Sequence, residues 1–349
     1  MTTANLDAAD LAAVARGGWI HEDVMDRIWD ISAIPLVFTD SIRSDTCENP
    51  LMSWLTDTLG QPNRTNAVVD GSDQTGNDST TGARVNNYCQ ESVKVFRVST
   101  RAQNVNAIGQ ENSLAYQLMK GQQRLRRDVE AIMILNQTSN ADDGNTTPGR
   151  LGGFAAWLKT NATGGTAWAA GGYSTSTGIV TAFTPGQQRG LTETLVRNAA
   201  QAAWEAGGDP SVLMSVPAVI RGLSEYMFTA SARVATLQRE TSGSDNAARA
   251  MGTVNVFITD FDVTLSMRAN RMQTTYASIG GTVAQVATVF VYDPSYVMQT
   301  FLQGYRTQDL AKTGLADARL ISVDYSLKVL AEDAHAAIND INPLTAVVQ

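Results

Sequence analysis

Between residues 107 and 138 the apolar positions Leu114, Leu118, Leu125, Val129 and Ile132 recur at spacings of 4, 7, 4 and 3 residues. That period lays them on one face of an α-helix. A helix of this span runs ~45 Å at about 1.5 Å per residue, and Gly121 within it predicts a bend. Arg124 with Asp128 and Arg126 with Glu130 stand four apart, as ion pairs on the wet side would. A period of two dominates the last third of the chain. Ile321, Val323, Tyr325, Leu327 and Val329 alternate with Ser322, Asp324, Ser326 and Lys328, which predicts a half-buried strand over 319–330. Val254, Val256 and Ile258 alternate too, as do Val263, Leu265 and Met267, while "VATVFVYD" has the unbroken apolar run of a buried strand. "SVLMSVP" predicts a short buried strand that feeds a helix over "AVIRGLSEYM". A further helix is expected from Thr184 as N-cap and Pro185 in the first turn to Gly207-Gly208. A short helix over about 331–340 closes the pattern, with His335 on it.

Other stretches lack a period. Residues 1–60 hold apolar anchors such as Trp19, Ile28, Trp29, Ile31, Ile34 and Leu36 at irregular spacing, broken by Pro35 and Pro50, which suits an arm lying on something else. Residues 61–100 suggest a long hairpin: "NRTNAVVD" leads out and "NNYCQESVKVFRVSTR" returns. Between them "GSDQTGNDSTTG" has no apolar residue and cannot be core. An isolated hairpin is marginal in water, so its strands need a neighbour, such as another chain. "TSNADDGNTTPGRLGG" breaks the helical pattern and sets an internal boundary near 145, followed by a Gly/Thr/Ala-rich stretch to about 180 that holds Trp157 and Trp168. The mixture of long helix and long antiparallel strands makes the class α+β.

Composition narrows the function. Hydrophobic residues make up 43% and charged residues only 17% of the 349, so Asn, Gln, Ser, Thr and Gly finish the surface; such a surface desolvates more cheaply than a charged one. The net charge of −8 argues against a nucleic-acid binder, which needs a clustered positive footprint. Cys47 and Cys89 form no CxxC pair, His21 and His335 lie far apart, and no zinc motif can be written; both cysteines are expected as reduced thiols. The first residues lack the pattern of a signal peptide and no run of about 18 apolar residues occurs.

Several short motifs suggest chemistry and then fail. In "DLAKTGLAD", Lys312-Thr313 resembles the tail of a phosphate-binding loop, but the glycine cradle is missing and a strand follows where a helix is required. "NADDGN" lacks the oxygen ligands of a calcium loop at Ser139 and Ala141, and Asp260 with Asp262 gives too few for a cation site. Arg124, Arg126 and Arg127 fit a solvated helix face. No nucleophile elbow or base-bearing histidine appears. Catalytic, cofactor and metal residues are therefore all expected to be none, and the set of arm, hairpin, long helix and long strand suits an assembly subunit.

The segment "VFVYDPSYVMQTFLQGYRTQDLAKTGLADARLISVDYSLKVLAEDAHAAINDI" resembles the C-terminal part of tailed-bacteriophage major capsid (major head) proteins. "IPLVFTDSI", "RRDVEAIMILNQ" and "VNVFITDFDVTLSMRANRMQ" resemble that family in the same order. Leu315-Ala316 departs from it, where charged residues are commoner after the glycine. The resemblance implies the Hong Kong-type capsid fold: an N-terminal arm (1–60), an E-loop hairpin (61–100), a peripheral domain (101–145 and 301–349, with spine helix 107–138 and strand 319–330) and an axial domain (146–300). It implies a structural protein that self-assembles into hexamers and pentamers of an icosahedral head, in the host cytoplasm and then in the virion. The implied partners are a separate scaffolding protein, a portal, a possible decoration protein and packaged double-stranded DNA held without sequence-specific contacts. Intersubunit contacts are expected from Trp19, Arg64, Arg84, Lys94, Arg97, Arg306 and Lys312. Some relatives cross-link Lys to Asn; Lys94 has no evident partner pair, so no such bond is expected. An acidic surface-layer or adhesin-type subunit is the alternative.

Overall fold

A computed structural model describes residues 35–57, 59, 62–73, 79, 81–105, 113–227, 237–238, 249–250, 255–277, 285–312, 314–345 and 347. The first sheet has four strands in the order β1 (Arg43–Thr46), β14 (Val297–Asp309), β15 (Ala316–Val329) and β4 (Gln90–Ser99). β1 runs parallel to β14, and β15 is antiparallel to both of its neighbours. The alternation that predicts the long strand is real, but the strand begins at Ala316 and its middle is buried on both faces. Ser322 and Ser326 therefore lie inside, and Ser326 Oγ donates to the Tyr88 carbonyl (2.9 Å).

The helix α1 (Thr100–Asn104) is capped by Ser99 and leads towards α2 (Ser113–Ile134), the long helix of the chain. Leu125, Val129 and Met133 of α2 face the core as the period requires. Residues 107–112 of the expected helix lie outside the described residues. The C-terminal end comes four residues before 138, because Asn136 bonds both ways with the backbone of Phe183 (2.8 and 3.0 Å) and Gly153 presses on the Leu135 carbonyl. Gly121 has a packing reason: a Cβ there would lie 2.1 Å from the Phe96 ring of β4, so the glycine lets the ring rest on the helix backbone.

The expected wet-side pairs of α2 do not form. Asp128 pairs with Lys94 of β4 (2.5 Å), and Arg126 stands 3.8 Å from Asp40. Glu130 is fully buried and accepts from the backbone N–H groups of Phe38 (2.8 Å) and Thr39 (2.7 Å) and from Asn270 Nδ2 (2.7 Å). Helical periodicity cannot register a partner 92 residues away in sequence.

The second sheet has six strands in the order β11 (Val256–Ile258), β12 (Thr264–Ala269), β8 (Val212–Ser215), β13 (Ala287–Tyr292), β16 (Ala336–Ile341) and β5 (Ala162–Thr163). The expected helix over 331–340 is a correction: a single 3-10 turn, Glu332–Ala334, precedes strand β16. Every residue of β16 is buried, so the segment has no polar face to give a surface helix, and it fits between two strands instead. His335 is buried against the Phe154 ring (5.5 Å between centroids), and its Nδ1 accepts the Asp293 N–H at 3.2 Å. Burial lowers its pKa to about 4. The helix expected from Thr184 also starts later, at α4 (Glu193–Glu205), where Thr192 is the cap. Thr184–Gln187 stays extended because Gly186 N–H is claimed by the buried Asp340 carboxylate (3.0 Å). Gly207, with φ +95°, ends α4 as expected. α5 (Pro217–Met227) follows β8, as its sequence predicts.

Two cores result. One lies between α4, α5 and the six-stranded sheet, around Val196, Ala200, Leu213, Val219, Leu265 and Val289. The other joins both sheets around Phe154 of α3 (Phe154–Trp157), whose ring meets Phe38 (5.1 Å), Phe290 (5.4 Å) and Tyr292 (5.7 Å). Smaller pairs are β6 (Gly172–Ser174) with β7 (Ile179–Thr181), and β9 (Leu237–Gln238) with β10 (Arg249–Ala250).

The hairpin also differs from expectation. β2 (Leu51–Thr56) pairs with β3 (Ala83–Tyr88), so its outgoing arm precedes residue 61 and lies in the stretch expected to be irregular arm. At Cys89 the chain leaves β3 for β4, which belongs to the four-stranded sheet. The expected boundary at 300/301 falls inside β14.

Candidate assembly surface

The motifs that resemble small-molecule sites are used up within the fold. Lys312 lies in the turn between β14 and β15, where Gly314 has φ +109°, and its ammonium pairs with Asp317 (2.5 Å). The Lys312 ammonium, with the Gln103 amide at 3.1 Å, holds the Asp317 carboxyl below its ordinary range. Arg319 and Asp309 clamp the same hairpin end (2.8 Å). In "NADDGN", Asp143 accepts the N–H groups of Asn145, Thr146 and Thr147 (2.8, 2.9 and 2.9 Å), and these lower its pKa well below the carboxylate range. Asp260 takes the Arg197 guanidinium as its cation. Among the described residues no group of three or more metal-ligating side chains occurs, and no helix is long and apolar enough to cross a membrane.

The β2–β3 hairpin is the candidate contact surface. Its base is fixed by alternation on β2: Met52 and Trp54 point inward, while Leu51, Ser53 and Leu55 point out. Trp54 Nε1 donates to the Val329 carbonyl (3.0 Å), and its ring meets Trp157 at 5.5 Å. On β3 the buried Asn87 amide donates to the Leu327 carbonyl (2.8 Å) and its oxygen accepts from Gly152 N–H (2.8 Å). Beyond this base no strand occurs among the described residues of 57–82. Leu55 is 78% exposed, Leu59 wholly exposed, Val68 63% and Val69 78%. Apolar side chains of this size without cover in their own chain are what a contact with a neighbour would bury.

A second surface is the face of the four-stranded sheet away from α2. Along β4 residues 91, 93, 95, 97 and 99 are exposed, which sets Val93 and Val95 in a row ending at Arg97. Across the sheet β14 adds exposed Arg306, opposite Ser322 of β15.

The sequence-derived contact residues thus fall into distinct groups. Arg97 and Arg306 share this outer face, and Arg64 and Arg84 lie exposed on the hairpin, Arg84 donating to Ser53 Oγ at 2.8 Å. Lys94 and Lys312 are tied to Asp128 and Asp317 within the chain. Trp19 lies outside the described residues. Sequence reasoning passed over Leu55, Leu59, Val68 and Val69, because isolated apolar residues in a polar stretch carry no period. Their signal was the lack of any period that could bury them.

Comparison with known proteins agrees with this arrangement. The family described as SU10 major capsid protein matches residues 2–342. No curated protein matches the chain. Among solved structures, the capsid of a native GTA particle computed with C5 symmetry is 14% identical, with 95% of this chain and 99% of that chain covered and a TM-score of 0.57. The holo-SrpI encapsulin complex from Synechococcus elongatus PCC 7942 is 11% identical, with 98% of each chain covered and a TM-score of 0.53. A chain of Gordonia phage Cozz is 15% identical, with 98% and 97% covered and a TM-score of 0.54. At these identities the likeness is one of fold, and the fold is the Hong Kong-type capsid fold.

Proposed function

Because the chain belongs to the SU10 major capsid protein family, and so is a structural subunit of a tailed-phage head, we propose that its copies close into hexamers and pentamers through the β2–β3 hairpin, acting as the E-loop. The observation that carries this reading is the contrast within the hairpin: a base locked by Trp54 and Asn87, and a tip whose apolar residues are bare. A heterologous contact, tip of one copy on the body of the next, propagates around a ring. The four-stranded sheet with α2 acts as the peripheral domain and the six-stranded sheet with α4 and α5 as the axial domain. Arg97 and Arg306 on the outer sheet face, with Arg64 and Arg84 on the hairpin, supply polar contacts. The shell encloses double-stranded DNA, and a net charge of −8 keeps its wall from gripping phosphates. A separate scaffolding protein, a portal and a decoration protein act with it. Family membership removes the reason for a surface-layer or adhesin reading.

Leu55→Asp with Leu59→Asp tests the hairpin. The expected result is a chain with unchanged circular dichroism and unfolding midpoint that sediments as free subunits, whereas the unaltered chain assembles into shells and sheets visible by electron microscopy. Normal shells from the double variant would refute the hairpin's role.

A further inference from the structure

Cys47 and Cys89 stand 42 positions apart in sequence, yet their sulfurs lie 3.7 Å from each other. Cys47 follows β1, and its N–H donates to the Phe301 carbonyl of β14 (3.0 Å). Cys89 is the single residue between β3 and β4, and its N–H donates to the Pro50 carbonyl just before β2 (2.8 Å). The pair therefore sits where both arms of the hairpin leave the body. Both thiols are free. Cys89 is buried, whereas Cys47 is half-buried and lines a surface cavity of about 270 Å³ with Asp45, Glu48, Asn49 and Lys328.

We propose that Cys47 and Cys89 form a reversible intramolecular disulfide, a modification site that closes the root of the hairpin covalently. A disulfide has an S–S bond of about 2.05 Å, so the sulfurs must approach by roughly 1.7 Å, a shift that side-chain rotation supplies most readily at half-exposed Cys47. The oxidant that fits is a small neutral one, a peroxide, reaching Cys47 through the cavity. The Cys47 thiolate attacks one peroxide oxygen; the O–O bond breaks, hydroxide leaves and the sulfur becomes a sulfenic acid. The Cys89 sulfur then attacks that sulfur, the S–O bond breaks, and the oxygen departs as water with the proton from Cys89. Two thiols and one hydrogen peroxide give one disulfide and two waters, the protein losing two electrons. Burial raises the pKa of both thiols, the Cys89 thiol more strongly, so the pair resists casual oxidation and the bond forms slowly at neutral pH. The closed loop contains β2, the whole tip and β3. The bond does not depend on the assignment of the hairpin as an intersubunit contact; only its effect on shells does.

The test uses the full-length chain, reduced and then treated with hydrogen peroxide. Remaining thiols are alkylated and the digest is read unreduced by mass spectrometry. The expected product is one peptide pair joined through Cys47 and Cys89, lost on treatment with a phosphine reductant. Cys89→Ser is expected to leave Cys47 as sulfenic or sulfinic acid with no linked pair. Hydrogen exchange of the unaltered chain is expected to slow roughly threefold or more over 51–56 and 83–88 on oxidation and to recover on reduction. Cys47 sulfinic acid beside an intact Cys89 thiol, or a bond between chains, would overturn the disulfide. A linked pair with unchanged exchange would overturn its action on the hairpin root. A linked pair with slowed exchange, in a chain that nevertheless forms no shells, would leave this inference standing and count against the assembly reading alone.

Discussion

At the scale of single residues the buried polar groups hold distant segments together. Glu130 bonds the entry segment at Phe38 and Thr39 to the long helix and, through Asn270, to the edge of the second sheet. Asp340, at φ +61°, does similar work for the loops at Gly165 and Gly186 (2.9 and 3.0 Å). His335 differs because its environment suits only the neutral ring: Phe154 covers it and Nδ1 is an acceptor. Its pKa falls to about 4 in the fold, against about 6.5 for the unfolded chain. Between those values the unfolded chain binds more protons, so stability is full above about pH 6.5 and declines as pH falls towards 4. The expected loss is about 2 kcal/mol at pH 5 relative to pH 7.5. Urea unfolding of the unaltered chain and of His335→Gln at both pH values checks this; an equal pH dependence in the two would show that the group does not matter.

At the scale of elements, α2 and β4 are fitted to each other at one point, the Phe96 ring on Gly121. Gly121→Ala gains about 1 kcal/mol of helix propensity but must displace a half-buried ring packed against the core, at about 1–3 kcal/mol. A net loss of up to about 2 kcal/mol is expected, with most of it recovered when Phe96→Leu is added. Denaturant midpoints of the two single variants and the double variant decide it, and a stabilised Gly121→Ala would remove Phe96 as the reason for the glycine. The face of α2, the strand at 321–329 and the β8–α5 pair were legible in the sequence because each carries its own period. The closing segment was not: "AHAAINDI" is rich in alanine, which has high helix propensity, and only the flanking strands β13 and β5 make it a strand. Nor was the hairpin's outgoing arm, because Met52 and Trp54 are two anchors too few to define a pattern. The fate of Glu130 and the meeting of Cys47 with Cys89 are tertiary facts that no local window holds.

At the scale of the whole molecule the two surfaces are held in different ways. The outer sheet face is held by four hydrogen-bonded strands, whereas the bonds from Trp54 and Asn87 to the body lie at the base of the hairpin. The proposed contact, one hairpin per copy on the body of the next, repeats alike in five-fold and six-fold rings and leaves the curvature of the shell weakly specified. Expression of the chain by itself is therefore expected to give particles of mixed size and open sheets, and co-expression with the proposed scaffolding protein a single size. Size distributions from sedimentation and electron microscopy check this; one uniform shell from the chain alone would show that the subunit sets its own curvature.

The threading of the two sheets has a consequence for biosynthesis. β14 and β15 form the centre of the first sheet, and β16 lies between β13 and β5 in the second. β13, β14, β15 and β16 all follow residue 285. While a ribosome is still making the first 285 residues, β4 and α2 lack the strands they pack on, and β8 has no partner on its β13 side. The first sheet cannot close until β15 has left the exit tunnel, nor the second until β16 has, so both sheets close only once these late strands have been made. A nascent chain that still lacks these strands has no closed sheet to offer a growing shell, so folding comes before assembly.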